Sequence, residues 1–362
     1  MANSKYEYVK SYEVNDEVFL PNLIIVRIDG CDFQRISETN DNGSPVRRLR
    51  RKSSIVHSKN IADRRFWNKQ AHLQKELGSF TKDIEKVEHD YIRSFQFEDK
   101  LIPSTWVVVR IDGCHFHRFS EVHEFVKPND EQAINLMNSC AVAVLQEFQE
   151  LVFSYGVSDE YRHRICFVSE LCRLYHYHLL SHCSCYCSFV LKKDSQFCQR
   201  QASEMVSVFV SFFTSMYVMK WKDFFLRKEL KYPPCFDGRA VCYPSYEILR
   251  DYLSWRQVDC HINNQYNTCF WELVKSGKTK TEAQKAVKGT QTGGKEKLLR
   301  QFGIEYNELP VMFRCGSSAF WGTTRIDKNG ECNGNSGKRV VVEHCNIIEA
   351  SFWDALPTIL SG

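Results

Sequence analysis

The sequence predicts an α+β fold: a ferredoxin-like split β-α-β unit, with an antiparallel sheet carrying helices on one face, and a helical C-terminal part. Three stretches carry the prediction. Val107-Val108-Val109-Arg110-Ile111 is β-branched and apolar, and runs straight into Asp112-Gly113, as a buried strand entering a turn does. Asp130 then stands at the N-cap position of a segment with apolar residues at helical spacing: Leu136-Met137, Cys140-Ala141, Val144-Leu145 and Phe148. Leu151-Val152-Phe153-Ser154-Tyr155-Gly156 reads as a second strand leaving through Val157-Ser158-Asp159-Glu160 into an antiparallel hairpin. Beyond it, Phe209 to Trp221 forms an aromatic-rich helix, Tyr232-Pro233-Pro234 opens a loop, and Leu249 to Leu273 is mostly helical.

A chain of 362 residues has room for one large or two modest domains with an ample apolar core. The net charge of +4 permits an RNA partner and equally suits an ordinary enzyme. Sixteen cysteines would imply disulfides in a small secreted protein. Met1-Ala2-Asn3-Ser4-Lys5-Tyr6 begins no apolar leader, and no run reads as a bilayer span, so the expectation is reduced thiols, no membrane and an intracellular protein.

The strand-to-Asp-Gly words occur twice. Ile24-Ile25-Val26-Arg27-Ile28-Asp29-Gly30-Cys31 matches Val107 to Cys114, and Tyr8-Val9-Lys10-Ser11-Tyr12 matches Tyr91-Ile92-Arg93-Ser94-Phe95. After Arg35 the first copy falls into Asn40-Asp41-Asn42-Gly43-Ser44-Pro45, a turn-rich linker, and the basic run Arg47-Arg48-Leu49-Arg50-Arg51-Lys52. Behind it, Ile55-Val56, Asn60-Ile61 and Phe66-Trp67 echo Val341-Val342, Asn346-Ile347 and Phe352-Trp353 at constant offset. Residues 1–87 thus read as a truncated first repeat, its start (1–40) joined to its end (41–82), and residues 88–362 as the fuller copy. The first repeat has no counterpart of Asp159 and is expected to be inactive.

Residues 162–187 interrupt the hairpin with a Leu/Ser/His/Cys/Tyr-rich texture. The Cys183-Ser184-Cys185-Tyr186-Cys187 alternation lacks the paired C-x-x-C knuckles of a zinc site. Read as a translated intron, with AGG for Arg162 and TGC-AGC for Cys187-Ser188, the segment carries splice dinucleotides at both ends. Its removal restores Asp159-Glu160-Tyr161-Ser188-Phe189 as one hairpin.

Asp112 and Asp159, at two strand ends separated by a helix, together with the Gly113 carbonyl, would supply hard oxygen ligands for two magnesium ions holding a nucleoside triphosphate. Singly, an Asp-Gly and a Ser-Asp-Glu are ordinary turn residues. Together with Cys114-His115-Phe116-His117-Arg118-Phe119, Lys127-Pro128-Asn129-Asp130, Tyr155-Gly156-Val157-Ser158-Asp159-Glu160-Tyr161 and Asp259-Cys260-His261-Ile262-Asn263-Asn264, they closely resemble the tRNA-His guanylyltransferase family over about residues 88–320. The two tandem copies resemble its plant form.

The resemblance implies a polymerase-like palm and the addition of a guanosine to the 5′ end of tRNA-His. ATP adenylylates the 5′-phosphate, the GTP 3′-hydroxyl displaces AMP, and pyrophosphate is removed. Carried over by motif, Asp112, Gly113 and Asp159 are metal ligands, and Asp112, Gly113, Cys114, His115, Phe116, His117, Ser158 and Asp159 line the nucleotide site. His117 and Lys127 contact triphosphate or the tRNA 5′ end, and Glu160 supports Asp159; these complete the catalytic set. Arg110, His261, Asn263 and Asn264 bind tRNA, with His261 at the anticodon. The family also implies a homo-tetramer, and the basic run with the tRNA substrate points to the nucleus, with the cytoplasm as a second location. Two departures stand out: Cys114 where the family usually has Arg, and Glu204 in a run where it usually has Lys. They motivate the alternative of a catalytically dead tRNA-binding paralogue or a mis-spliced product.

Overall fold

The computed structural model describes residues 5–12, 99–159, 184–322, 339–356 and 360. The chain divides into two units, Met1–Leu20 with Asp99–Gly362, and Pro21–Glu98. The second unit, with Asp29-Gly30, lies outside the described residues, as does Glu160. The expected boundary at 87/88 also lies outside the described residues.

The first unit is built on a six-stranded antiparallel sheet in the order β4-β1-β3-β2-β5-β6. Its strands are β1 (Trp106–Gly113), β2 (Leu151–Asp159), β3 (Ser184–Leu191), β4 (Phe236–Tyr243), β5 (Ser317–Gly322) and β6 (Arg339–Glu343). The first four keep the ferredoxin-like order, so the expected split unit is present, and β5 and β6 extend it beyond β2. Alternation sorts the side chains of β1. Val107, Val109 and Ile111 enter one core, and Trp106 and Val108 the other.

Eight helices are described in the same unit: α1 (Phe116–Val122), α2 (Glu131–Glu147), α3 (Ala202–Phe224), α4 (Tyr246–Lys275), α5 (Lys280–Val287), α6 (Thr292–Gln301), α7 (Val311–Cys315) and α8 (Ala350–Ala355). α2 and α3 cover the Val107–Ile111 face, as expected for the palm. The opposite face is covered too, because Leu249, Tyr252, Leu253 and Trp255 of α4 join Trp106, Val108 and Tyr243 in a second core. Helices thus lie on both faces, and the C-terminal helical part is one of the two layers. The far half of α4 forms a third core with α5 and α6, through Cys269, Leu273, Ala283, Val287, Leu299 and Tyr306.

α3 is long and apolar enough to cross a membrane by length and composition. Its Met205, Phe209, Phe213, Tyr217 and Trp221 recur at helical spacing and bury one face against the sheet, while Val218 and Met219 on the other side are exposed. The ten cysteines whose side chains are described are all free thiols.

Residues 5–12 pack on the α4 side of the sheet. In the 3-10 turn Glu7–Tyr12, Val9 is fully buried in the α4-side core and the Tyr8 hydroxyl donates to Asp251 Oδ2 at 2.5 Å. Four residues of the expected insertion, Ser184 to Cys187, are part of β3 itself. They pair with Asp159 to Gly156, and Tyr186 and Cys187 are buried.

Candidate active site

β1 and β2 run parallel with β3 between them, so their C-terminal ends share one edge of the sheet. Asp112 and Val157 are both in register with Tyr186 of β3. The backbones of β1 and β2 are therefore two strand spacings apart, about 10 Å, and Asp159 follows Val157 by two residues. The two aspartates meet at one edge, with a strand rather than direct adjacency between them.

Gly113 is required by packing. A Cβ there would come within 2.7 Å of the Phe116 ring, which is itself fully buried. The turn is tight enough that Cys114 N donates to Cys235 O at 2.7 Å, and His115 takes a left-handed conformation (φ 52°) to start α1. First-turn N–H groups of a helix have no intrahelical acceptors. The first turn of α1 therefore presents backbone N–H groups near the Asp112 carboxylate, while the Cys114 N–H is taken up by Cys235 O. Phe116 serves as the packed base of the turn, while His115 and His117 lie with ring centroids 6.5 Å apart.

Arg110 and Asp112 lie on the α4-side face of β1, and Arg110 Nε donates to Asp112 Oδ2 at 2.7 Å. Across the ladder, Asp112 is opposite Asp237 and Arg110 is opposite Arg239 of β4. Asp237 Oδ2 accepts the Cys114 thiol at 3.0 Å. Burial, reinforced by Asp237, pushes the Cys114 thiol pKa well up, so it stays protonated and donates. Sequence reasoning missed Asp237 and Arg239. The only signal was their period-two spacing in Phe236-Asp237-Gly238-Arg239, which a turn-rich glycine segment hides.

Directly opposed carboxylates repel, and a divalent cation relieves that repulsion. With the Gly113 carbonyl, this edge offers the oxygen donors that magnesium takes. Among the described residues no group of three or more His, Cys, Asp or Glu side chains forms a metal site, and the Asp159 side chain lies outside them; Asp112 and the Gly113 carbonyl have the donor chemistry of the expected metal.

Lys127 Nζ donates to Ser120 Oγ at 2.9 Å, and Ser120 Oγ donates to His117 O at 2.9 Å. The Lys127 loop is thereby joined to the turn carrying His117. Asp130 fixes the loop's other end, accepting from Ala133 N at 3.1 Å as the N-cap of α2 and from Val126 N at 2.9 Å.

The tRNA-binding candidates sit on the second half of α4. His261 is half-buried, its ring edge-on to Tyr306 at 5.2 Å. Burial lowers its pKa, and the Arg314 guanidinium lowers it further, which keeps the ring neutral. Lys295, close to the same cluster, has its pKa lowered by burial; sequence reasoning missed it too. Asn263 and Asn264 are in the interior, at 6% and 2% exposure.

Arg200 and Glu204 belong to the opposite edge of the sheet. The Arg200 guanidinium is buried on the carbonyls of Ile102, Thr105 and Ser195, just before β1 begins. Asp99 Oδ2 accepts from Ser203 N at 2.6 Å in the first turn of α3. Within one chain, the reversed charge of Glu204 does not face the Asp112 turn.

Comparison with known proteins agrees with this geometry. Residues 89–244 match the family model described as tRNAHis guanylyltransferase, and residues 247–349 match the Thg1 C terminal domain. The chain is 60% identical over 348 residues to tRNA(His) guanylyltransferase 1 of Arabidopsis thaliana, a match covering 94% of this chain and 56% of that protein. It thus spans about half the length of the curated plant relatives it matches. It is 43% identical over 276 residues to the "Probable tRNA(His) guanylyltransferase" of Dictyostelium discoideum, covering 76% of this chain and 98% of that one. Among solved structures, the tRNA(His) guanylyltransferase of Saccharomyces cerevisiae superposes with a TM-score of 0.53 at 39% identity, covering 63% of this chain and 90% of the yeast chain. On the sheet order, the Asp-Gly turn and these matches, the chain belongs to the tRNAHis guanylyltransferase family.

Proposed function

We propose that the chain is a nucleotidyltransferase that adds a guanosine to the 5′ end of tRNA-His. The observation that carries this reading is the convergence of the Asp112-Gly113 turn and the end of β2 at one edge of a palm-like sheet. In the first step the tRNA 5′-phosphate attacks the α-phosphate of ATP and releases pyrophosphate. In the second, the 3′-hydroxyl of GTP attacks the activated 5′-phosphate and AMP leaves. Hydrolysis then removes pyrophosphate from the new 5′-triphosphate.

Two magnesium ions held by Asp112, the Gly113 carbonyl and Asp159 would offset the phosphate charge and activate the attacking oxygen. Arg110 holds Asp112 in place through the 2.7 Å bond. The amides of the His115–His117 turn cradle phosphate, as a helix start does. Lys127, steadied by Ser120, supplies a positive charge for the triphosphate or the tRNA 5′ end. Ser158 and Glu160 are assigned to the same edge, Ser158 toward the nucleotide and Glu160 in support of Asp159.

The second half of α4 binds the RNA. A neutral imidazole beside Tyr306 offers a stacking surface for an unpaired anticodon base, and Arg314 and Lys295 supply attraction for its phosphates. In this reading the protein works as a tetramer, in the nucleus and also the cytoplasm. Residues 1–87 are the remnant of a tandem first copy, and residues 162–187 are an insertion whose last four residues have been taken into β3.

The test is guanosine incorporation into 5′-phosphorylated tRNA-His with ATP, GTP and magnesium. Activity is expected, abolished in Asp112→Ala and Asp159→Ala. Retained activity in either variant refutes the metal assignment. A chain that binds tRNA-His but never incorporates GTP is instead a tRNA-binding paralogue without catalysis.

A further inference from the structure

Three polar groups form a continuous buried path from the His261 turn to the Lys127–Asp130 loop. The Tyr306 hydroxyl shares its proton between His261 O at 3.2 Å and Asn264 Oδ1 at 3.3 Å. The Nδ2 of the same Asn264 donates to Asn129 Oδ1 at 3.0 Å. Asn129 stands between Lys127 and Asp130, in a loop otherwise tied down by the Lys127–Ser120 and Asp130–Val126 bonds. At 2% exposure Asn264 has no face left for an RNA base.

We propose that Asn264 and Tyr306 are positioning residues. They fasten the Lys127–Asp130 loop to the turn of α4 that carries His261, so the phosphate-contacting and RNA-reading ends are set as one rigid piece. The proposal rests on the guanylyltransferase reading and changes one part of it: Asn264 acts as an internal strut for the loop and does not touch tRNA.

Physical reasons favour a strut. His261 and Asn264 are three residues apart, neighbours on one side of the helix. A side-chain amide satisfied from two directions holds its partners' relative orientation, whereas a solvent-exposed amide would rotate to suit a ligand. The loop crosses from α1 to α2, and Asn129 is the point at which it is bonded to α4. Small displacements of phosphate-contacting groups are costly to rate.

The experiment uses the full chain with Tyr306→Phe, which keeps the ring against His261 and removes only the hydroxyl. The expected result is a KM for GTP raised about tenfold or more, the cost of a misplaced phosphate contact. The dissociation constant for tRNA-His should stay within about twofold of the parent's, because His261 and its ring contact with Tyr306 are kept and the Lys127 charge is shifted, not removed. Asn129→Ala, at a half-buried position, should reproduce the effect. The double variant should be no worse than either alone, because each single change already interrupts the same hydrogen-bonded path, at Tyr306 or at Asn129. A purely structural role predicts a lower melting temperature with KM unmoved.

A second readout does not depend on catalysis. Hydrogen exchange of the amides from Val126 to Ala133 should accelerate in Tyr306→Phe and in Asn129→Ala, while amides in β1 stay protected. Unchanged KM and unchanged exchange at these residues overturn the proposal, as do strictly additive effects in the double variant. If Tyr306→Phe does not fold, Asn129→Ala alone decides it by the same two measurements. If the parent chain adds no guanosine, the guanylyltransferase reading fails, and the exchange measurement still decides the tether.

Discussion

Asp112 of β1 and Asp237 of β4 stand directly opposite each other across the antiparallel ladder, with Arg110 and Arg239 opposed two residues earlier on β1. Like charges face each other across the strands and opposite charges alternate along them. Such a pair costs about 0.2–1 kcal/mol in a sheet unless something positive joins it. Asp237→Asn is therefore expected to raise the melting temperature in metal-free buffer and to shrink the stabilisation that added magnesium gives. Differential scanning fluorimetry with and without magnesium reads both. An unchanged magnesium effect would place the ion away from Asp237.

The bond from Arg110 Nε to Asp112 Oδ2 occupies one oxygen of the carboxylate and orients the other. Outer partners of metal ligands typically contribute about 10–100-fold. Arg110→Ala should lower guanosine addition by that factor and weaken magnesium dependence in parallel, with little change in fold by circular dichroism. A loss of tRNA affinity alone would instead assign Arg110 to the RNA.

His123 is buried between α1 and the loop before β4. Its Nδ1 bonds Phe119 O at 2.8 Å, and its Nε2 accepts from Lys231 N at 3.0 Å. Burial lowers its pKa in the folded protein. The unfolded chain, with a histidine near 6.5, then binds the proton more readily than the native state. The stabilising contribution is complete above about pH 6.5 and is lost as pH falls below that value toward the folded pKa. Melting temperatures measured from pH 8 to pH 5 should decline on the acid side, and His123→Phe should flatten that decline. A variant that keeps the full acid slope would assign it to other groups.

Asp130 accepts from Ala133 N and Val126 N with separate oxygens. Asp130→Ala removes an N-cap and a loop tie together, and should cost about 1–2 kcal/mol. Chemical denaturation should show the loss in midpoint with an unchanged slope. Asp130→Asn, which keeps a carbonyl acceptor for the cap, should recover part of it.

Tyr155 pairs with Ser188 in the present sheet. Removing residues 162–187 leaves residues 156–161 between those partners, enough for two further pairs and a two-residue hairpin turn. The shortened chain should keep the sheet order and add guanosine at least as fast as the full chain. Insolubility, or a loss of strand signal by circular dichroism, would show that Ser184 to Cys187 are needed in β3.

The local elements were legible because each announces itself within a few turns of chain. The Val107–Ile111 run, the Asp130 cap with its helix to Glu147, and the aromatic stripe Phe209–Trp221 all appear where their patterns put them. The second strand runs on through Asp159, where turn chemistry had been read from Val157. Pairing with β3 supplies hydrogen bonds that outweigh local preference there.

β4 was not legible, since Asp237, Gly238 and Arg239 spoil any apolar alternation. Its charged side chains make sense only beside Asp112 and Arg110, residues more than a hundred positions away. Asn264 shows the same limit from another direction. A polar motif does not reveal whether its amide faces RNA or another amide, and only the fold places Asn129 against it.

The strand order also bears on how the protein is made. β1 sits inside the sheet, yet both of its partners are synthesised after it: β3 begins at Ser184 and β4 is complete only at Tyr243. The Val107–Val109 run has two open hydrogen-bonding edges until β3 is made and one until β4 is made, the condition under which strands pair with other chains. Any shortened transcript that stops before Tyr243 would release a β1 with at least one edge unfilled. Such fragments should aggregate rather than accumulate as soluble half-domains.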